Sequence, residues 1–195
     1  MLTYIYSTVN AGKSANLIMR AHSCEERKIG FRVLVPQVAA LRDESSRVAS
    51  RIGFSQKAHS LWEGQCPYEY IQSQMAIGFA PIKVVFVDEA QFLTRAQVLG
   101  LTRIVDELGI PVFAYGLRTD FKGEPFEGSI YLLSWSERVE EISTFSDSSA
   151  ECATFNMKID ELGTQVTSGN SVDPGFGYTP VTRKKFGLAR ISVKK

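Results

Sequence analysis

The feature that most constrains this chain lies near its start, where a short apolar run at residues 2–6 leads into the sequence S-T-V-N-A-G-K-S. A segment with the apolar spacing of a helix begins at Ser14. The order of strand, small-residue loop, Lys-Ser and helix is that of a phosphate-binding P-loop. In such a loop, successive backbone N–H groups and the N-terminus of a helix point at the phosphates. The sequence therefore predicts a nucleotide site at the beginning of the first helix.

Within this loop we expect Lys13 to bridge the β- and γ-phosphate oxygens and the Ser14 hydroxyl to ligate Mg²⁺. The P-loop pattern begins with glycine, and this chain has Ser7 at that position. A chance Gly-Lys-Ser in a turn is the competing interpretation, which the position between a strand and a helix disfavours. The predicted nucleotide-binding residues of the loop are Ser7, Thr8, Val9, Asn10, Ala11, Gly12, Lys13 and Ser14.

Length and charge limit the other possibilities. The chain has 195 residues, of which 44% are apolar and 22% are charged, so it can bury the core of one ordinary domain with a small appendage. Its net charge of +1 predicts that neither nucleic acid nor a membrane surface is a partner. Three scattered cysteines and the lack of a leader or a long apolar run predict a cytoplasmic protein in a reducing compartment.

Strand and helix patterns alternate along the first part of the chain. The most apolar run, residues 84–87, is typical of a strand buried on both faces of a sheet. Gly30 is expected to end the first helix, and Thr94 with Gln97 forms a capping box that opens a later one. This alternation predicts an α/β fold with a P-loop NTPase-type parallel sheet and helices on both faces. The predicted strands are residues 2–6, 31–35, 58–62, 84–87 and 110–116, and the predicted helices are residues 14–28, 67–77 and the segment after Thr94.

The polar residues 37–51 have no clear periodicity and carry Arg42, Arg47 and Arg51. They form either a mobile loop or a weak helix. Two functions stay open for them: a solvated connection, or a loop that closes over phosphates.

The sequence becomes less regular after the fifth predicted strand. Residues 118–128 are predicted to form a loop, residues 131–137 a helix or a short extended connection, and residues 139–144 a last strand. From there on, Ser, Gly, Asp and Thr predominate, with two weakly alternating runs. We therefore predict a nucleotide-binding domain over residues 1–144 and a small β-containing subdomain with a long loop over residues 145–195.

Two adjacent acids, Asp88 and Glu89, follow the most apolar strand. In P-loop proteins the acid that closes a buried strand lies near the magnesium, on the same sheet edge as the loop. Asp88 is therefore predicted to associate with Mg²⁺ together with Ser14. Glu89 is then free to accept a proton from an attacking hydroxyl or water. The alternative is that one of these acids caps the next helix.

The group that accepts the phosphate is either water, as in an ATPase, or a substrate hydroxyl, as in a small-molecule kinase. A helicase is excluded because this chain has no room for a second motor domain and lacks the charge for a basic groove. A kinase requires a compact apolar pocket beside the P-loop. The candidates for that pocket are Phe92, Leu117, Phe121 and Phe126. Taken singly, each of these side chains would more often belong to the hydrophobic core than contact a ligand.

Two longer segments carry a resemblance to a known family. The sequences V-D-E-A-Q-F-L at residues 87–93 and Y-G-L-R-T-D-F-K-G-E-P-F at residues 115–126 resemble the signatures of the cellular and bacterial (type II) thymidine kinases. The P-loop and the S-R-I-G at residues 50–53 are similar as well. The resemblance extends from residue 1 to about residue 144.

This resemblance implies transfer of the γ-phosphate of ATP to the 5′-hydroxyl of thymidine with Mg²⁺. It implies that Glu89 is the base, that Asp88 and Ser14 are the metal-associated residues, and that Asp88 and Gln91 lie among the ATP-binding residues. It also implies a thymine pocket at the four apolar candidates, a homotetramer, and feedback inhibition by thymidine triphosphate. The alternatives that stay open are a P-loop ATPase and a catalytically inactive nucleotide-binding relative.

The C-terminal part departs from the family pattern. Most members hold a structural zinc there with four Cys or His residues, and the matching positions here are Ser146, Ser148, Thr182 and Lys185. These side chains are not zinc ligands, so we expect no structural zinc. The family's lasso over the nucleoside is partly recognisable at residues 165–170, and we expect it to become ordered when substrate binds. The substrate-binding residues that it implies are Thr167, Ser168, Gly169 and Tyr178.

Overall fold

The computed structural model describes residues 1–40, 47–78, 81–147, 149–169 and 177–187. Its centre is a sheet of six parallel strands, which confirms the predicted fold class. The strands of the N-terminal part are β1 Leu2–Ser7, β2 Gly30–Pro36, β3 Arg47–Ala49, β4 Ser55–Lys57, β5 His59–Leu61, β6 Ile82–Val87, β7 Val112–Leu117 and β8 Arg138–Glu141. In the central sheet the order is β5-β2-β6-β7-β1-β8, and β3 pairs with β4 in a separate antiparallel hairpin.

Helices cover both faces of the central sheet. The helices are α1 Lys13–Glu26, α2 Gln37–Ala40, α3 Pro67–Ala76, α4 Arg95–Leu108, α5 Glu127–Trp135 and α6 Arg183–Phe186, and a 3₁₀ turn spans Ala90–Phe92. Alternate residues of β6 enter two different cores, since Val84 and Phe86 pack with α1 while Val85 and Val87 pack with α4. The prediction that this strand is buried on both faces is therefore confirmed. None of the described helices is both long and apolar enough to cross a bilayer.

The sheet order brings three strand ends together. Strand β7 lies between β6 and β1, and all three run in the same direction. The register pairs Ser7 with Leu117 and Val87 with Ala114. As a result, the P-loop after β1, the acids after β6 and the loop after β7 leave the sheet at one edge. In open parallel sheets this carboxyl edge is where ligands bind.

Several helix boundaries follow from local signals. The capping box is confirmed, because Thr94 Oγ1 accepts from Gln97 N at 3.3 Å and Gln97 Oε1 accepts from Thr94 N at 3.1 Å. The prediction that Gly30 ends the first helix is wrong. Helix α1 stops at Glu26, Lys28 adopts the left-handed conformation at φ 56°, and Gly30 already belongs to β2. Lys28 thus takes the left-handed position after the helix that glycine usually occupies.

Helix α5 begins at Glu127, before the predicted segment 131–137, and ends at Trp135. Of the two alternatives for that segment, the helix is therefore correct over most of its length. Its start escaped notice because Gly128, a poor helix former, lies in its first turn. A Cβ at Gly128 would lie 2.5 Å from the carbonyl oxygen of Ala90 and 2.8 Å from that of Leu93. The glycine is needed because the helix approaches the backbone of the 3₁₀ turn.

The polar residues 37–51 are only partly described. They begin with the single turn α2, so part of the weak-helix alternative is correct, and they end in β3 of the β3–β4 hairpin. Arg42 lies outside the described residues, as do Ser148 and Asn170.

The C-terminal part forms two small antiparallel sheets. Strands β9 Phe145–Ser146 and β10 Ser149–Cys152 pair in one, and β11 Phe155–Ile159 lies between β12 Gln165–Val166 and β13 Gly177–Val181 in the other. Phe155, Met157, Val181 and Phe186 form a separate apolar core, in which the rings of Phe155 and Phe186 stack at 4.6 Å. This core joins α6 to the three-stranded sheet.

We expect Phe186→Ala to loosen this sheet, because truncating a buried phenylalanine costs about 3–5 kcal/mol. Phe186 is 1% exposed, whereas Phe145 is 68% exposed and provides a matched control. Amide hydrogen exchange should speed up in β11 and β13 of Phe186→Ala and stay unchanged in the central sheet. Equal exchange in Phe186→Ala and Phe145→Ala would contradict the proposed role of this core.

Candidate active site

A cavity of about 560 Å³ opens at the carboxyl edge of β6, β7 and β1. It extends from the P-loop to the loop after β7, and the β3–β4 hairpin contributes Arg51 to its wall. Of the residues predicted from the sequence, it is lined by Val9, Asn10, Gly12, Lys13, Ser14, Glu89, Gln91, Phe92, Leu117, Phe121, Phe126 and Tyr178. The other predicted residues, which do not line it, are Ser7, Thr8, Ala11, Asp88, Thr167, Ser168 and Gly169.

The P-loop leads directly into α1, and Lys13 is the first residue of that helix. Asn10 and Gly12 turn the loop through left-handed conformations at φ 63° and 82°, which these two residue types tolerate best. The Lys13 ammonium donates to Ser7 Oγ at 3.0 Å and to the Thr8 carbonyl at 2.8 Å. Ser7 therefore supplies a bond that glycine, the usual residue at this position, lacks.

Lys13 is almost completely buried, with 8% of its surface exposed. Burial lowers the pKa of its ammonium, and the carboxyl groups of Glu89 and Asp88 act in the opposite direction. The described contacts of the ammonium are to uncharged oxygens of its own loop. A bound phosphate would give it a strong counter-charge.

Asp88 is also buried, with 4% exposed, and accepts a 2.8 Å hydrogen bond from Ser14 Oγ at its Oδ2. Its Oδ1 is buried without a hydrogen-bond partner among the described residues. Burial, reinforced by the negative charge of Glu89, raises the pKa of Asp88 to about 7, although the Ser14 bond opposes this. A carboxylate oxygen without a partner beside a serine hydroxyl at a helix N-terminus fits the oxygen ligands that Mg²⁺ prefers.

Glu89 follows in the left-handed conformation, at φ 51° and ψ 36°, which is uncommon for a residue with a side chain. Its side chain makes no capping bond to the 3₁₀ turn that follows, and helix α4 is capped by Thr94. The alternative that Asp88 or Glu89 caps the next helix is therefore wrong. Glu89 lines the cavity instead, and its carboxylate accepts a short hydrogen bond from Nε2 of Gln91.

The aromatic candidates divide into two kinds. Phe121 is 1% exposed and belongs to the packed interior of its loop. Phe92 and Phe126 are half-buried and meet edge to face at 5.5 Å, and Tyr178 contacts Phe121 in the same manner at 6.4 Å. Phe92, Phe126 and Tyr178 thus line the cavity with side chains that are only partly buried.

Asn156, on β11, is a site residue that sequence analysis missed. It is 3% exposed, its Oδ1 accepts from Val9 N at 2.8 Å, and its Nδ2 donates to the Thr119 carbonyl at 3.4 Å. It thereby fastens the C-terminal sheet to the P-loop and to the loop after β7. In the alternating run F-N-M-K-I an asparagine predicts a solvent-facing position, so no local pattern signals this bridge.

The predicted lasso residues Thr167, Ser168 and Gly169 are exposed, and residues 170–176 lie outside the described part of the chain. The positions that match zinc ligands in the family have other environments. Ser146 is buried in β9, and Thr182 Oγ1 accepts from Lys185 N at 3.2 Å to cap α6. Among the described residues, no three His, Cys, Asp or Glu side chains gather in a way that could hold a metal.

The P-loop, with the buried Asp88 bonded to its Ser14, borders a cavity of small-molecule size that is also lined by Glu89 and by aromatic side chains. These features define a P-loop nucleotide-binding protein with space for a second, organic substrate. The sequence model of the family described as thymidine kinase matches residues 1–186. The chain belongs to the thymidine kinase family.

Individual proteins agree with this assignment. The thymidine kinase of Coxiella burnetii (strain RSA 493 / Nine Mile phase I) is 40% identical over 191 residues, covering 97% of this chain and 96% of that protein. The thymidine kinase of Xanthomonas campestris pv. campestris (strain 8004) is 41% identical over 187 residues, covering 95% and 88%. Among solved structures, an ATPase domain aligns over 95% of this chain and 82% of that one, with a TM-score of 0.49 and 14% identity, a likeness too weak to support an inference.

The raised pKa of Asp88 makes a prediction for stability. The carboxyl group ionises near pH 3.8 when it is solvated and near pH 7 in the folded protein. Between these values the folded state binds the extra proton, so stability decreases as the pH rises through this window. Asp88→Asn removes this loss. We expect the Tm of Asp88→Asn to exceed that of the wild type at about pH 8 and to approach it at about pH 4.5. Each 1 kcal/mol of difference in the free energy of unfolding corresponds to a Tm shift of about 2–4 °C.

Thermal denaturation of both proteins across this pH range measures the effect. The exposed Asp106 provides the control, since Asp106→Asn removes one carboxyl group without changing a buried one. A Tm difference between Asp88→Asn and the wild type that does not depend on pH would contradict the ionisation of a buried Asp88.

Proposed function

We propose that this protein transfers the γ-phosphate of ATP to the 5′-hydroxyl of thymidine. The observation that carries the proposal is that one cavity joins a P-loop, whose Ser14 bonds to the buried Asp88, to an apolar wall, with Glu89 in its lining. Its volume of about 560 Å³ lies within the range of small-molecule sites. Membership of the thymidine kinase family and relatives of that name at about 40% identity support the same substrate pair.

On the donor side, the backbone N–H groups of the P-loop bind the phosphates of ATP. Ser7 and Thr8 support the loop through their hydrogen bonds to Lys13. Lys13 exchanges its bonds to Ser7 Oγ and the Thr8 carbonyl for phosphate oxygens. Ser14 Oγ and the Asp88 carboxylate would hold Mg²⁺, which neutralises charge on the phosphates when it is bound. Since Asp88 must be ionised for this, metal binding releases its proton.

On the acceptor side, Glu89 takes the proton of the 5′-hydroxyl as the oxygen attacks the γ-phosphorus, and the bond from the γ-phosphorus to the β–γ bridging oxygen breaks, so that ADP leaves. Glu89 directly follows Asp88 and precedes the 3₁₀ turn that ends at Phe92. Its position in the chain is thus between the magnesium-associated aspartate and the aromatic wall, and so between the two substrates. The half-buried rings of Phe92 and Phe126 contact the base, and Leu117 and Tyr178 complete the wall with the packed Phe121 behind it. Thr167, Ser168 and Gly169 reach the nucleoside through backbone groups when the lasso folds over it.

We infer the same division of the chain that the sequence indicates. Residues 1–144 form the kinase domain, and residues 145–195 form a lasso subdomain. The small core around Phe155 and Phe186 and the Thr182 cap support an arrangement in which this subdomain holds together without zinc. A cytoplasmic homotetramer with feedback inhibition by thymidine triphosphate is proposed from the family resemblance.

A coupled assay of ADP release with ATP, Mg²⁺ and thymidine tests the function. We expect ADP release that depends on thymidine and the formation of thymidine monophosphate. Release at the same rate without thymidine would identify an ATPase instead. Absence of release, together with retained ATP binding, would identify a catalytically inactive nucleotide-binding relative.

The role of Glu89 has its own test. We expect Glu89→Gln to lower kcat by about 10²–10⁴-fold, because the amide cannot accept the hydroxyl proton. Binding of ATP should be retained, since the P-loop and Asp88 are unchanged. Glu63→Gln is the control, because Glu63 is exposed and is not part of the cavity lining. An unchanged kcat in Glu89→Gln would remove Glu89 from this role.

A further inference from the structure

The Gln91 side chain connects the carboxylate of Glu89 to the backbone at the end of β7. It is 1% exposed, and both ends of its amide are bonded. Nε2 donates to Glu89 Oε2, and Oε1 accepts from Leu117 N at 3.0 Å. These partners fix the orientation of the amide, because a carboxylate can only accept and a backbone N–H can only donate.

The far end of this connection is rigid. The Leu117 carbonyl accepts from Tyr4 Oη at 2.7 Å and from Ser129 Oγ at 2.6 Å, so both polar groups of Leu117 are bonded. There is no room for a side chain at Gly116, where a Cβ would lie 2.9 Å from Gln91 Oε1. Close packing and the hydrogen bond from Leu117 N therefore hold the Gln91 amide against the central sheet, and two further bonds fix the Leu117 carbonyl.

The near end, in contrast, is intrinsically mobile. A glutamate side chain has three rotatable bonds, so holding its carboxylate in one orientation costs conformational entropy. A general base must nevertheless lie within hydrogen-bond reach of the proton that it accepts. Glu89 lines the cavity from a left-handed backbone position, and rotation about its side-chain bonds would move the carboxylate. Within the described part of the chain, the hydrogen bond from Gln91 restrains that rotation.

We propose that Gln91 is a positioning residue for catalysis: its amide holds Glu89 Oε2 so that the other carboxylate oxygen faces the acceptor hydroxyl. This inference rests on the proposed function of Glu89. It also links the base to the substrate wall, because the Leu117 N–H that anchors Gln91 belongs to the residue at which the loop after β7 begins. The orientation of the Glu89 carboxylate is thereby determined by the backbone at Leu117, which also leads into the loop that lines the acceptor side of the cavity.

Two substitutions at Gln91 separate positioning from simple packing. In Gln91→Glu, an ionised carboxylate still accepts from Leu117 N–H, but it places a second negative charge against Glu89. We expect kcat at neutral pH to fall by about 10–100-fold, as for a misplaced catalytic group. The acid limb of the kcat–pH profile should move up by about 1–3 units, because two adjacent carboxylates retain a proton. Gln91→Met keeps the side-chain length and removes both bonds, so kcat should fall without the like-charge shift.

The controls measure what a purely structural role would change. ATP affinity should remain within about twofold of the wild type in both variants, because both ends of the Gln91 amide bond to the protein; the ATP-binding role that the family resemblance implies for Gln91 would instead lower it. Gln72→Glu, on the exposed face of α3, should leave the pH profile unchanged. A wild-type acid limb in Gln91→Glu, with only Tm or the KM for thymidine altered, would overturn the proposal.

A double-mutant comparison gives a second criterion that does not depend on the pH profile. If Gln91 acts through Glu89, adding Gln91→Met to Glu89→Gln should lower kcat less than about twofold further, because the base is already absent. Multiplication of the two single effects would overturn the positioning role while leaving Glu89 as the base. Wild-type kcat in Glu89→Gln alone would instead reject the proposed function of Glu89, so the two failures are distinguishable.

Discussion

The site depends on the burial of two ionisable groups that do not bond each other. The Lys13 ammonium bonds to oxygens of its own loop, and the Asp88 carboxylate bonds to Ser14. Both charges are removed from water, so burial disfavours the charged form of each, as the directions of their pKa shifts show. Phosphate beside the lysine and a divalent cation beside the aspartate would restore the missing interactions. The protein without substrates is therefore electrostatically incomplete at the point where the nucleotide binds.

The central sheet and its packing hold these two groups in place. Three parallel strands end side by side, and each strand is followed by a loop of different chemistry. The close approach of α5 to the 3₁₀ turn at Gly128 and of β7 to Gln91 at Gly116 leaves these loops little freedom. A rigid sheet edge can hold a buried carboxylate and a strained glutamate because many packing contacts outweigh about 1–3 kcal/mol of local strain.

The parts of the structure that were predictable from the sequence are those that local or periodic signals determine. The P-loop, the doubly buried β6 and the capping box at Thr94 each leave a pattern within a few residues. The end of α1 was mispredicted because Lys28, rather than Gly30, adopts the left-handed turn. The start of α5 was missed because a tertiary contact, and not helix propensity, requires Gly128 there.

Residues that act through long-range contacts left no such pattern. Gln91 belongs to a recognisable motif, but its bond to Leu117 N depends on the pairing of β6 with β7. Asn156 lies 147 positions from Val9 in sequence, and only the folded chain brings its side chain to the P-loop. Spacing along the sequence contains no information on either contact.

Asn156 also explains how a small C-terminal sheet can influence both ends of the cavity. One amide end bonds the P-loop at Val9, and the other bonds the Thr119 carbonyl in the loop after β7. Strand β11, which carries Asn156, is fixed in turn by the core around Phe155 and Phe186. A displacement of β11 must therefore either break at least one of these bonds or move the phosphate side and the acceptor side together. The packing of this appendage is thus part of the geometry of the site, although most of the cavity wall comes from the central sheet and its loops.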